Sequence, residues 1–341
     1  MQGTRRFRVL GSLTAVAGLL LLVTALAAPR QQQSAPASTS ASTSASTAPS
    51  GLPSGNDTAA TAEALFKTQV NLVVLHATVH DRNRRLVTGL PQEAFQVFQD
   101  GNEQRVTQFS NRDIPVSMGI VIDASASMID KRASVNAAAL QLVRASNPED
   151  EIFILNFRDT PELAQDYTSD IAALERGLSE VRMWGGTALV DSLYLAVEHL
   201  LQASRDKKVL LAITDGEDDA SSFQLQDLLV RLQKADVTVY TIGILSQQRS
   251  RARRNAEKML KAIAKVSGGE AYFPASLHQV AAVAGGIARD IRNQYVLAYP
   301  VPSGSKPGFR SIQVKARAAK RGRLTVRTRP GYFHEPDAAA P

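Results

Sequence analysis

The sequence predicts an α/β protein, a doubly wound and mostly parallel sheet inserted in or flanked by a small β-sandwich module. Three observations predict it. From Pro115 onward, short and continuously apolar runs alternate with longer amphipathic ones, the pattern of parallel strands covered on both faces by helices. Before residue 113 and after residue 293 the pattern becomes strand after strand. Finally, the run Ile120-Val-Ile-Asp-Ala-Ser-Ala-Ser-Met128 carries three apolar β-formers into an aspartate and two serines at alternate positions, three hard oxygen groups in five residues.

Residues 1–28 are expected to be a signal peptide or an N-terminal membrane anchor. Arg5, Arg6 and Arg8 precede an apolar run from Val9 to Ala28, and Ala25-Leu-Ala27 supplies small residues for cleavage after Ala27. The run is also long enough to span a bilayer, so anchoring competes with cleavage. Residues 29–63 are expected to be a disordered tether, because Ser34 to Ser50 contains only Ala, Ser, Thr and Pro and buries no apolar surface.

Residues 64–112 are predicted to form a β module. Val70 to Val79 alternates, Asp81-Arg-Asn-Arg-Arg85 reads as a turn, and Pro91 to Phe95 as a short helical turn. Phe95–Phe98 and Arg105–Phe109 flank Asp100-Gly101, which reads as a hairpin. The α/β domain follows over 113–293. Its strands are predicted at Ser117–Ile122, Glu151–Phe157, Lys208–Thr214, Val237–Ile244 and near Glu270–Phe273. Helices are predicted at Lys131–Ala145, Asp170–Val181, Ala188–Ala203, Ser222–Lys234, Ala256–Val266 and Leu277–Asn293. Residues 294–333 return to strands (Gln294–Tyr299, Arg310–Ala316, Leu324–Arg327), expected to pack with the N-terminal module, and 334–341 form a tail expected to be disordered.

Composition narrows the function classes. The 341 residues include no cysteine, which excludes disulfides and thiolate metal sites. The net charge of +7 comes partly from Arg249-Ser-Arg-Ala-Arg-Arg254, Lys315 to Arg323 and Arg82-Asn-Arg-Arg85, stretches expected in solvated turns and loops. Nucleic acid is therefore not the expected partner.

In an open α/β sheet, ligands gather beyond the carboxyl ends of the strands. Three segments are predicted to reach that rim: Asp123-Ala-Ser-Ala-Ser127, Trp184-Gly-Gly-Thr187 and Thr214-Asp215-Gly216. Asp123, Ser125, Ser127, Thr187 and Asp215 offer two carboxylates and three hydroxyls, a set suited to a hard divalent cation with near-octahedral geometry. Five protein ligands leave one position to water, where an acidic side chain of a partner can bind.

These motifs resemble the metal-ion-dependent adhesion site of von Willebrand factor type A domains, across roughly residues 115–293. The wider chain is similar to a bacterial family of secreted proteins related to that domain. Its flanking segments match Val87-Thr-Gly-Leu-Pro-Gln-Glu-Ala-Phe-Gln-Val-Phe-Gln-Asp-Gly101 and Arg329-Pro-Gly-Tyr332. The resemblance implies a Rossmann-like fold and a Mg²⁺ or Mn²⁺ ion. Asp123 would hold it partly through water, Ser125 and Ser127 directly, and Thr187 and Asp215 directly or through water.

Plainer readings exist for each residue. Asp123 can cap the following helix, and Ser125 and Ser127 can be turn residues. Glu217-Asp218-Asp219 are expected as solvated acids favouring the helix from Ser222, and Trp184 either lines the ligand face or packs. His76, His80, His199, His278 and His334 show no helical metal spacing, and His76 and His80 are expected at the surface. The enzyme alternative is a phosphatase built on Asp123. It requires a second acid two residues on, where Ser125 stands. A purely structural envelope protein is the third class. The expectation is an exported, non-enzymatic binding protein, periplasmic, envelope-associated or secreted, that recognises a partner carboxylate through the metal.

Overall fold

The computed structural model describes residues 72–335 apart from 217, 247, 303 and 320. The expected signal or anchor, the tether and the last six residues lie outside it. Among the described residues, no helix is long and apolar enough to cross a membrane.

The α/β part is built on six strands: β5 (Val116–Asp123), β6 (Glu151–Phe157), β7 (Pro161–Thr168), β8 (Lys207–Thr214), β9 (Val237–Gly243) and β10 (Ala271–Tyr272). They lie in the order β10-β9-β8-β5-β6-β7, parallel except for the antiparallel β7. Sequence order reverses at β5, which pairs with β6 on one side and β8 on the other. The carboxyl ends of β5 and β8 therefore flank the topological switch point, the place where such sheets bind ligands.

Burial on both faces explains the apolar strands. Met118, Ile120 and Ile122 of β5 share one core with α1 (Arg132–Ala145), α2 (Ile171–Ser179) and α6 (Val280–Arg292). Val121, between them, belongs to the opposite core with α3 (Leu189–Leu201), α4 (Leu225–Lys234) and α5 (Ser250–Ser267). Alternate side chains thus enter opposite cores.

β7 was not predicted. Its residues are partly or fully exposed, so an edge strand lacks the apolar run that marks its neighbours. Helix α5 begins six residues before the predicted Ala256, so Arg251, Arg253 and Arg254 decorate its first turns rather than a loop. Arg253 pairs there with Glu257 one turn on.

Two further four-stranded sheets combine the segments before and after the α/β part. One has the order β13 (Thr325–Arg327), β1 (Leu72–His80), β11 (Tyr295–Pro300), β4 (Gln108–Ser110). The other has β14 (Gly331–His334), β12 (Gly308–Ala316), β2 (Phe95–Gln99), β3 (Asn102–Gln104). Val73, Leu75, Val97, Leu297, Ile312 and Val314 share a core between them. The Tyr295 hydroxyl, buried in it, accepts from the Leu90 amide and donates to the Val87 carbonyl. This satisfies the Leu90 amide and the Val87 carbonyl at the two ends of the Val87-Thr-Gly-Leu90 segment.

The hairpin at Asp100-Gly101 is present but shorter than expected. Both turn residues have positive φ, 51° and 84°, and β2 pairs with Asn102–Gln104. Arg105 to Phe109 instead carries the chain to β4, which pairs with β11.

Candidate metal centre

The parallel registers bring the predicted residues to one rim. Ile122 pairs with Ile213, so Asp123 ends β5 beside Thr214, and Asp215 follows immediately. The third segment docks through its backbone: the Trp184 amide donates to the Ala124 carbonyl and the Ala126 amide to the Gly185 carbonyl. Thr187 follows two residues after Gly185, and Asp123, Ser125, Thr187 and Asp215 are all buried.

The acid and serine candidates are held by nearby groups. Asp123 Oδ1 accepts from the Ser125 amide at 2.9 Å, and its Oδ2 accepts from the Thr214 hydroxyl at 2.6 Å. The Ser125 and Ser127 hydroxyls stand 3.1 Å apart. Burial pushes the Asp123 carboxyl up to about 6, against hydrogen bonds from Ser125 and Thr214 and with a smaller push from Asp215. Among the described residues, Asp215 Oδ1 is buried without a hydrogen-bond partner. Such an orphan carries a desolvation cost and invites a cation.

The donor chemistry fits a hard divalent ion. Among the described residues, no three His, Cys, Asp or Glu side chains gather to hold a metal. An ion at this rim would therefore rest on serine and threonine hydroxyls as well as Asp123 and Asp215, an all-oxygen set.

The remaining acids hold the loop in place. Asp159 Oδ1 accepts the Gly186 amide at 2.7 Å, Asp219 Oδ1 accepts the Thr187 amide at 2.7 Å, and Asp218 Oδ1 accepts the Leu189 amide at 3.0 Å. Gly185 adopts φ +81°, and a Cβ there would meet the Asp159 carboxylate. Asp218 and Asp219 thus fix the start of α3 and the Gly-Gly-Thr loop, not the helix after Ser222. That helix is capped by Gln224 and Asp227, and Asp191 accepts the Ser222 and Phe223 amides of the turn before it.

The sequence reading missed Lys131. A 3₁₀ turn over Ala126–Lys131 places Met128 and Lys131, three residues apart, on one buried face. The Lys131 ammonium donates to Asp215 Oδ2 at 2.9 Å and to the Ser127 carbonyl at 3.0 Å, with the two side chains only 6% and 1% exposed. Trp184 is 56% exposed beside this rim, with the Arg158 guanidinium 4.7 Å over its ring. It presents an apolar face to solvent.

A mostly parallel sheet covered on both sides, with acids and hydroxyls gathered at its switch point, is a fold shared with von Willebrand factor type A domains. Residues 118–217 match the family model described as the von Willebrand factor type A domain, and the chain carries that domain. Similar solved structures include the conserved protein BatB from Bacteroides thetaiotaomicron, 19% identical, covering 51% of this chain and 98% of that one with a TM-score of 0.42. A von Willebrand factor type A protein from Catenulispora acidiphila is 15% identical over 80% of this chain and 76% of that one, TM-score 0.46. The von Willebrand factor domain of the type V pili tip protein Mfa5 from Porphyromonas gingivalis is 15% identical over 52% and 95%, TM-score 0.43. None of the curated proteins compared with the chain matches it.

Proposed function

We propose that the chain is a non-enzymatic binding protein. Its A domain would hold Mg²⁺ or Mn²⁺ on Asp123, Ser125, Ser127, Thr187 and Asp215 and use the ion to take a carboxylate of a protein or other acidic ligand. The observation that carries this reading is the unpartnered, buried Oδ1 of Asp215 at the switch point, beside a second buried carboxylate and two adjacent serine hydroxyls. Such a group sets two carboxylates against the single Lys131 ammonium and is rich in hard oxygen donors. The bound ion would supply Lewis-acid attraction for an incoming carboxylate; the chain's own residues fix the hydroxyls and exclude water from the acids behind them.

Hydrolysis is less well supported. Both oxygens of Asp123 are engaged by Ser125 and Thr214, which does not favour a nucleophile free to attack. The residue two positions on is a serine, too weak an acid to protonate a leaving group near neutral pH. An exported, envelope-facing placement belongs to this reading and rests on residues 1–28.

The experiment is a pull-down from envelope extract with the mature chain, in Mg²⁺ and again in chelator, with Asp123→Ala in parallel. The reading expects partners that appear with Mg²⁺ and disappear with chelator and in the variant. Partners retained by Asp123→Ala in chelator would refute it.

A further inference from the structure

The strongest feature the motifs do not explain is Lys131. A lysine four residues beyond Ser127 would ordinarily extend into solvent from the first turn of a helix. Here the 3₁₀ turn folds it inward, and its ammonium reaches Asp215 Oδ2 and the Ser127 carbonyl in a nearly dry pocket. Both groups it touches belong to residues of the proposed metal set.

We infer that Lys131 is a built-in counter-cation that competes with the divalent ion for Asp215 and so sets how tightly this domain binds metal. The inference rests on the metal reading above. Three facts on the rim support competition rather than coexistence. First, the ammonium stands at hydrogen-bond distance from Asp215, on the oxygen opposite the unpartnered Oδ1. Second, both side chains are sealed from solvent, so repulsion between the ammonium and a divalent ion on one carboxylate is weakly screened. Third, the ammonium also holds the Ser127 carbonyl, so one fixed cation ties together two residues of the proposed metal set. Metal binding is then an exchange of one cation for another, not a filling of unpaired acids. Without metal, the lysine keeps Asp215 paired and the rim folded; with metal, it must leave or share.

The test measures Mn²⁺ binding by calorimetry and by the paramagnetic resonance of free Mn²⁺, using the full chain stripped of metal. Wild type, Lys131→Met, Lys131→Gln and Lys131→Arg are compared, with melting temperature recorded in chelator and in excess Mg²⁺. The inference expects Lys131→Met to bind Mn²⁺ at least about tenfold tighter than wild type, a gain of about 1.4 kcal/mol. It also expects Lys131→Met to melt lower than wild type in chelator and to recover in Mg²⁺. Lys131→Arg keeps the charge and should stay near wild type in affinity. If the methionine variant does not fold, Lys131→Gln carries the same comparison.

Equal affinity in wild type and the neutral variants, or weaker affinity in the variants, overturns the role of Lys131 and leaves the metal reading standing. No Mn²⁺ binding by wild type or any variant overturns both.

Discussion

Two clusters of buried charge in this molecule are built in opposite ways. At the seam between the α/β part and the sheet of β13 and β1, Arg327 pairs with Glu270 and with Asp290 Oδ2, the latter at 2.9 Å. Glu270 also pairs with Arg84, and His80 lies 3.7 Å from the other oxygen of Asp290. Burial works to raise the Asp290 carboxyl, but His80 and Arg327 outweigh it and hold it below the usual carboxylate range. At the rim the balance is reversed. Asp123 is pushed up, and Asp215 has one ammonium and one orphaned oxygen. Acids saturated by fixed cations join two parts of a fold; acids left short of positive charge are prepared for a ligand.

The sharpest way to break this comparison is at the seam. Arg327→Ala removes the buried cation that both acids share, leaving Glu270 only the exposed Arg84 and Asp290 only His80, and the expected loss is about 3–4 kcal/mol by urea unfolding. A loss under about 1 kcal/mol would mean that the seam is not a structural joint.

A second, nearly as large effect concerns pH. Burial pushes the His76 imidazole down to about 4, and its Nδ1 is buried without a partner among the described residues. His76 and His80 are half-buried on β1, a strand paired with β11 and β13, not the surface residues expected from the sequence. A histidine with a depressed folded pKa contributes stability above its unfolded value near 6.5 and loses it as pH falls toward 4. Up to about 3 kcal/mol should disappear across that window, and His76→Leu should flatten the curve. An unchanged pH profile in the variant would remove His76 as the cause.

Gly185→Ala tests the loop that carries Thr187. A left-handed φ and the nearby Asp159 carboxylate predict a loss of about 1–2 kcal/mol in thermal unfolding and weaker Mn²⁺ binding. Wild-type binding would show that loop placement does not matter to the site.

The smallest stability effect is expected at the rim itself. Asp123→Asn neutralises a carboxylate that burial already disfavours, so metal-free stability should fall by no more than about 1 kcal/mol. A loss as large as that of Arg327→Ala would erase the distinction between the two clusters.

Much of the rim was legible because its ligand candidates sit in contiguous motifs at the ends of apolar strands. Asp123, Ser125 and Ser127 announce themselves by alternation, and Asp215 follows directly on β8. Lys131 was not legible, because its inward turn depends on a 3₁₀ geometry that puts it in line with Met128. The spacing of Met128 and Lys131 was the available signal, but in an α-helical reading that lysine looks solvated. Asp159 was missed for a different reason: it lies 27 residues from Gly186 and meets it only in three dimensions. The edge strands β7 and β14 lack continuous apolar runs, so periodicity gives them no mark.

The central claim is that a divalent cation is held at the switch point by hydroxyls and carboxylates. The most direct measurement is a Mn²⁺ titration of the metal-free chain beside Asp123→Asn and Ser125→Ala. The account predicts one site in the wild type, weakened at least about a hundredfold in Asp123→Asn, which is about 2.7 kcal/mol, and weakened less in Ser125→Ala. Equal binding by wild type and Asp123→Asn, or none by wild type and Lys131→Met alike, would contradict it.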